Sequence, residues 1–173
     1  MELLDMLKQR RSVRTYTDAP IPKETLDTIL KAGLFAPSGR NRRPWEFILV
    51  QNKETLEAMS RCRDAGSAML SGAAAAIVVI GDPEKADTWT EDCSIAMAYM
   101  HLMADHLGVG SCWIQGRMRT VGEETTEEYL RRLLHFPDSY RLEAILSLGY
   151  PNPHPEARTE EELPEGKVHI EEF

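Results

Sequence analysis

The chain has 173 residues, 42% of them hydrophobic and 28% charged, and a formal net charge of −8. That length suits one domain with a core of its own, and the acidic balance argues against nucleic acid as the main partner. No apolar run approaches the ~20 residues of a membrane span, and the opening MELLDMLKQR lacks a secretory apolar stretch.

Leu3, Leu4, Met6 and Leu7 recur at helical spacing, which predicts a short helix over residues 2 to 10. After Arg11 the pattern Val-Arg-Thr-Tyr-Thr favours extended chain. A helix is expected over 23 to 35, with Leu26, Ile29, Leu30 and Leu34 on one stripe, stopped by Ala36-Pro37-Ser38-Gly39. Trp45 to Val50 reads as a strand and 53 to 62 as a helix. Ala76 to Ile80 is an unbroken apolar run, as in a strand covered on both faces. Residues 88 to 107 form a helix that is apolar almost all round, and so buried in the domain or in an oligomer. A strand over 109 to 115, a helix over 123 to 135 and a strand over 141 to 148 complete the pattern. The last 23 residues hold four of the ten prolines and seven glutamates, which suits an extended C-terminal arm over 151–173. The fold class is α+β, a mixed sheet flanked by helices, in a single domain over residues 1–173.

Cys62, Cys93 and Cys112 form no CxxC pair, so a reducing, cytoplasmic setting is expected. The histidines show no metal spacing, His101 and His106 being five apart, and no metal is expected.

Three stretches carry chemistry. In RRSVRTY, residues 10 to 16, an extended chain turns Arg10, Ser12 and Arg14 to one side and Arg11 to the other. Guanidinium forks and a hydroxyl suit a phosphate monoester; the plainer account is a solvated basic helix end. Neither GxxxxGK[ST] nor GxGxxG is present, so side chains would hold any phosphate. Pro37, Ser38, Gly39 and Asn41 offer hydroxyl, bare backbone and amide groups that can bond a flat polar heterocycle, or simply make a turn. Trp113, Ile114, Gln115 and Gly116 could wall a ring system, or be an ordinary core strand.

Together RRSVRTY, APSGRNRRPWEF, AIVVIGD, HLGVGSCWIQG and LGYP, in this order, resemble the nitroreductase family over residues 3 to 151. The resemblance implies an intertwined homodimer with FMN at the subunit interface and NADH or NADPH as electron donor. It implies that Arg10, Arg11, Ser12 and Arg14 take the FMN phosphate and the ribityl or pyrimidine edge. Pro37, Ser38, Gly39 and Asn41 would come from the partner subunit and flank the isoalloxazine. Trp113, Ile114, Gln115 and Gly116 would back the ring, Gln115 and Gly116 near its N5 and O4 edge. Arg158, with Lys167 behind it, would add a basic group from the C-terminal arm. The chemistry implied is ping-pong hydride transfer to a small acceptor such as a nitroaromatic or quinone, with no catalytic protein residue. The same resemblance leaves open dehalogenation, flavin fragmentation or enoate reduction on this fold, and an FMN-binding sensor without turnover. Many members carry a central Asn after residue 60, but Arg61 to Ser71 contains none. The chain also lacks the inserted helical region that covers the pocket of longer members.

Overall fold

In the computed structural model, which describes residues 2–173, the uninterrupted apolar stretches become the inner strands of a sheet. Every residue of β2 (Ala75–Gly81) is buried, and so is all of β6 (Arg141–Gly149) except Arg141. The outer strands are β1 (Trp45–Val50) and β3 (Gly110–Gln115), giving the order β1-β2-β6-β3.

The sheet is covered on both sides because successive side chains on a strand point to opposite faces. Ile77, Val79, Leu146 and Leu148 meet α2 (Lys23–Leu34) and α4 (Trp89–His106) on one face. Val78, Ile80, Leu142 and Ile145 meet α3 (Lys53–Met59), α5 (Thr126–Leu134) and a 3-10 turn, Ala68–Gly72, on the other. Of the stripe expected on α2, Leu26 and Ile29 are fully buried and Leu30 is half-buried, while Leu34 in the last turn is exposed.

Helix α4 uses its apolar surface in two directions. Cys93, Ala96, Met97, Met100, His101 and Ala104 point inward, while Ile95 and Tyr99 stay 38% and 42% exposed. Helix α1 (Leu3–Gln9) exposes Leu3, Leu4 and Leu7.

Residues 12 to 17 lie beside β3 and the end of β6. Ser12 is bridged in parallel to Ser111, and the Val13 N–H donates to Ser111 O at 2.9 Å. Thr17 N–H donates to Tyr150 O at 2.9 Å, and the Tyr16 hydroxyl meets Ser147 Oγ at 2.7 Å. Two glycines permit this approach: a Cβ on Gly110 would lie 2.8 Å from Val13 Cβ, and one on Gly149 2.6 Å from the Tyr16 ring. The arm, 151 to 173, contains only a 3-10 turn at Glu160–Glu162. It is tied back by Arg158 N–H to Lys8 O at 2.9 Å, Lys8 to Glu160 at 2.7 Å and His154 to Asp105 at 2.9 Å.

Two expectations change. The sheet is not mixed: all three strand pairs are antiparallel, and the only parallel contact among the described residues is the isolated Ser12–Ser111 bridge. The expected helix over 123 to 135 begins at Thr126, because β4 (Thr120–Val121) and β5 (Glu124–Thr125) pair first around Gly122. Thr125 then caps α5 in a reciprocal box with Glu128.

Gly149→Ala drives a methyl into the Tyr16 ring. It is expected to cost about 1–3 kcal/mol by overpacking, read from urea unfolding, and to speed amide exchange at Val13 and Thr17 before other β-sheet amides.

Candidate functional site

The basic stretch breaks out of α1 exactly where its apolar spacing ends, and its arginines collect with one from the far end of the chain. The Arg10 guanidinium is held below its ordinary pKa, chiefly by burial, with the nearby charges of Arg158 and Arg11 adding to the effect and Asp105 opposing it. Arg11 donates to the backbone oxygen of Glu156 in the arm. Arg10, Arg11 and Arg158 have no carboxylate within 4.0 Å among the described residues, although acids outnumber bases in this chain. Ser12 and Arg14 lie near enough to the Cys112 thiol to favour its ionised form. Burial pushes that thiol up, so Cys112 is a neutral floor and not a nucleophile.

The ring-sized part of the site follows from strand geometry. Ser111 O faces away from β6, toward Val13. Backbone groups alternate along an antiparallel strand, so the N–H and C=O of Trp113 and Gln115 also face outward. Beyond Val13 no other element offers a backbone partner to that edge among the described residues. The edge runs ~13 Å from Ser111, whose C=O Val13 takes, to Gln115, and its donors and acceptors at Trp113 and Gln115 have no backbone partner among the described residues. The Trp113 indole donates to Gln115 Oε1 at 2.9 Å, and the Gln115 amide donates to Arg117 O at 3.2 Å. Gly116 is packed so tightly on Leu142 that a Cβ would lie 2.5 Å from it. Ile114 is 1% exposed and belongs to the opposite core, and by the same alternation its backbone faces β6, so it offers nothing to a ligand on the outer edge.

Behind this edge the pairing of β2 and β6 slips by one residue, leaving Glu143 without an opposite number. Its carbonyl accepts from Gly116 N–H and Arg117 N–H at 3.2 and 2.9 Å. Its carboxyl is buried, accepts from Ser94 Oγ at 3.2 Å, and lies 3.4 Å from Arg117 Nε without a well-aligned bond to Oε2. Burial raises its pKa, while Ser94 and Arg117 oppose the rise.

On its outer side Arg14 borders a cleft of about 660 Å³ shared with Tyr16, Met69, Ser71 and Asn152. The 3-10 turn at 68–72 forms its far wall, where no Asn is present, and the Ser71 hydroxyl donates to Ala68 O at 2.9 Å. Nothing in the sequence marks Met69 or Ser71, because the turn between α3 and β2 carries no periodic signal, nor Asn152, which lies in the irregular chain after β6.

The loop at 37 to 43 is built by Arg43. Its N–H donates to Ser38 Oγ and its Nε to Asn41 Oδ1, both at 2.9 Å. Gly39 N–H donates to Asp92 Oδ1 at 2.8 Å, and a Cβ there would lie 2.5 Å from Thr88 Oγ1. Arg40, Asn41 and Arg43 all have φ near +50°, a left-handed conformation that costs non-glycine residues energy. Pro37 and the Asn41 amide remain exposed. This loop leads into β1, and β1 and β3 are opposite edges of a four-stranded sheet, ~14 Å apart. Within one chain, therefore, Pro37 to Asn41 do not close over the β3 edge. Lys167 is exposed in the arm.

An α+β sandwich with a cationic pocket at one end of an open strand edge is thus the setting for comparison with known proteins. A sequence profile of the nitroreductase family matches residues 7–64 and 59–150, and the chain belongs to that family. An FMN-dependent nitroreductase of Clostridium difficile R20291 has a structure similar to 99% of this chain and 100% of its own, with a TM-score of 0.97 and 45% identity. A protein of Archaeoglobus fulgidus with the provisional name NADH dehydrogenase/NAD(P)H nitroreductase is 42% identical over 87% of this chain and 86% of its own. An iodotyrosine deiodinase of Thermotoga neapolitana is 27% identical over 87% of this chain and 89% of its own.

Because burial raises the Glu143 pKa, the folded state favours the protonated carboxyl. Stability from this group is present below the unfolded carboxylate pKa and is lost as pH rises through the folded value. Glu143→Gln is expected to flatten that part of the stability profile, matching the native chain near pH 4 and equalling or exceeding it at pH 7, as followed by urea unfolding across pH.

Proposed function

We propose that the chain is an FMN-dependent oxidoreductase that takes hydride from NADH or NADPH and delivers it, by a ping-pong cycle, to a small organic acceptor such as a nitroaromatic or quinone. It would work as a cytoplasmic homodimer. The observation that carries this reading is the uncompensated trio Arg10, Arg11 and Arg158 beside Ser12, at one end of the open β3 edge.

The residues fit the group. A phosphate at Arg10, Arg11, Ser12 and Arg158 would satisfy charges that have no carboxylate within 4.0 Å among the described residues. The distance from Ser111 to Gln115 suits a mononucleotide laid lengthwise along the strand. Gln115 N–H would face the N5 and O4 edge of the ring, held there by the Glu143 carbonyl beneath Gly116. Arg14, beside the cleft, would face the pyrimidine end. FMN, when bound, supplies the hydride chemistry that protein side chains lack. The chain's tasks are to bind it, orient it and leave one face open to each reactant in turn. A donor and an acceptor sharing one face need no second dinucleotide fold, so the missing GxGxxG is no obstacle.

The dimer follows from the same geometry. Pro37, Ser38, Gly39 and Asn41 lie across the sheet from the β3 edge, so they could flank a ring only in a second copy. Ile95, Tyr99, Leu3, Leu4 and Leu7 offer the apolar surface for that contact. The deiodinase relative favours a second reading, reductive dehalogenation on the same scaffold. Parallel assays with nitroaromatic, quinone and haloaromatic acceptors separate the two.

The purified protein is expected to retain stoichiometric flavin after FMN addition and desalting, and anaerobic NADH or NADPH should bleach it. Arg10→Ala should weaken FMN about tenfold or more, the scale of one charge-assisted hydrogen bond or above. A protein that stays colourless would remove the proposal. By light scattering the native chain should be a dimer, and Tyr99→Arg should shift it toward monomer with loss of flavin.

A further inference from the structure

We propose that His101 is a positioning residue for anion binding, a neutral anchor that aims the Arg10 guanidinium without cancelling its charge. The inference rests on the reading of Arg10 as a phosphate ligand and goes beyond it, to a residue outside the stretches that carry the family resemblance. Arg10 Nη1 lies 2.8 Å from His101 Nε2, and His101 Nδ1 lies 2.5 Å from Ser111 Oγ. An arginine can only donate, so Nε2 accepts, and the single ring proton sits on Nδ1, where it donates to Ser111. Both ring nitrogens are therefore used, and the tautomer is fixed by its partners.

The environment keeps the imidazole neutral. His101 is 8% exposed, and burial, together with the adjacent Arg10 charge, pushes its pKa down to about 4. The nearest acid on the same helix face is Asp105, whose Oδ1 is taken by His154 Nε2 at 2.9 Å. Arg10 thus has an imidazole as its direct partner where a structural arginine would ordinarily have a carboxylate. A carboxylate would orient the guanidinium equally well, but it would satisfy the charge from within the chain. An imidazole fixes the direction and leaves the positive charge for an incoming anion. Ser111 completes the chain of contacts: it is the residue bridged to Ser12, so one linkage sets both Arg10 and the Ser12 backbone.

The test compares FMN with riboflavin, which lacks the phosphate, by fluorescence quenching at fixed ionic strength. His101→Leu should raise the Kd for FMN about tenfold or more, with riboflavin changed less than about twofold. His101→Gln, which can accept from Arg10 and donate to Ser111 with its two amide atoms, should stay within about threefold of the native chain for FMN. His101→Glu should bind FMN at least as poorly as His101→Leu, because its carboxylate pairs with Arg10. If His101→Leu does not fold, the Gln and Glu variants alone decide, with thermal unfolding as the check on each. The proposal is overturned if Gln and Glu variants bind FMN equally, or if FMN and riboflavin affinities fall in step. Failure of the underlying reading looks different: Arg10→Ala would then leave the native preference for FMN over riboflavin intact.

Discussion

Beyond Ser111, the outer edge of β3 has no backbone partner among the described residues. Edge strands with free donors and acceptors invite another chain or a ligand, and here the rest of the architecture is arranged around that opening. Residues 12 and 13 cover only its first turn, so the cationic end is closed and the Trp113–Gln115 end is open. The slip between β2 and β6 places Glu143 under Gly116 and Arg117, so that one carbonyl holds the turn that finishes the edge. Close packing of Gly116 on Leu142 leaves no freedom for that turn to move inward. The opening is therefore rigid on its inner side, which is what presenting fixed backbone donors to a planar ring requires.

Much of this was legible in the residues, and the failures have physical causes. The inner strands could be read because burial on both faces demands unbroken apolar runs, as in Ala76 to Ile80. RRSVR could be read as a charge concentration. Its partner Arg158 could not be fixed by spacing, since contact across so much chain depends on where the arm turns back at Lys8. His101 gave no signal: one histidine in an apolar helix is ordinarily a satisfied core residue, and its role depends on Arg10 arriving from another element. Ile114 shows the limit of reading a stretch as a unit. Adjacent residues on a strand face opposite ways, so Trp113 and Ile114 cannot both present side chains to one ring. The start of α5 was misplaced because the acids at 123 and 124 suit a first helical turn as well as the small hairpin they actually join.

The 37–41 loop and the Trp113–Gly116 stretch, expected to meet one ring from two subunits, are separated in a single chain by the whole width of the sheet. Helix α4, apolar nearly all round, likewise has only one face in the core, with Ile95 and Tyr99 left exposed on the other. Strain at Arg40, Asn41 and Arg43 belongs to the same argument. Left-handed residues persist where surrounding bonds over-determine them, and Ser38, Asn41, Asp92 and Lys85 O all tie this loop down. A loop fixed at that cost while its outer surface stays exposed is organised to present groups outward, not to fill its own domain.

A net charge of −8 and an anionic cofactor are compatible only if the field is local. At physiological ionic strength exposed charges beyond ~8 Å are largely screened, so an anion near Arg10 responds to its immediate surroundings. Those surroundings contain Arg11 and Arg158, an imidazole instead of an acid, and an aspartate already engaged by His154. The acids of the arm do not undo this: Glu160 is paired with Lys8, and no arm carboxylate lies within 4.0 Å of Arg10, Arg11 or Arg158 among the described residues. Partner choice by neighbouring groups, more than the number of arginines, is what leaves positive charge uncancelled beside Arg10 on an acidic protein.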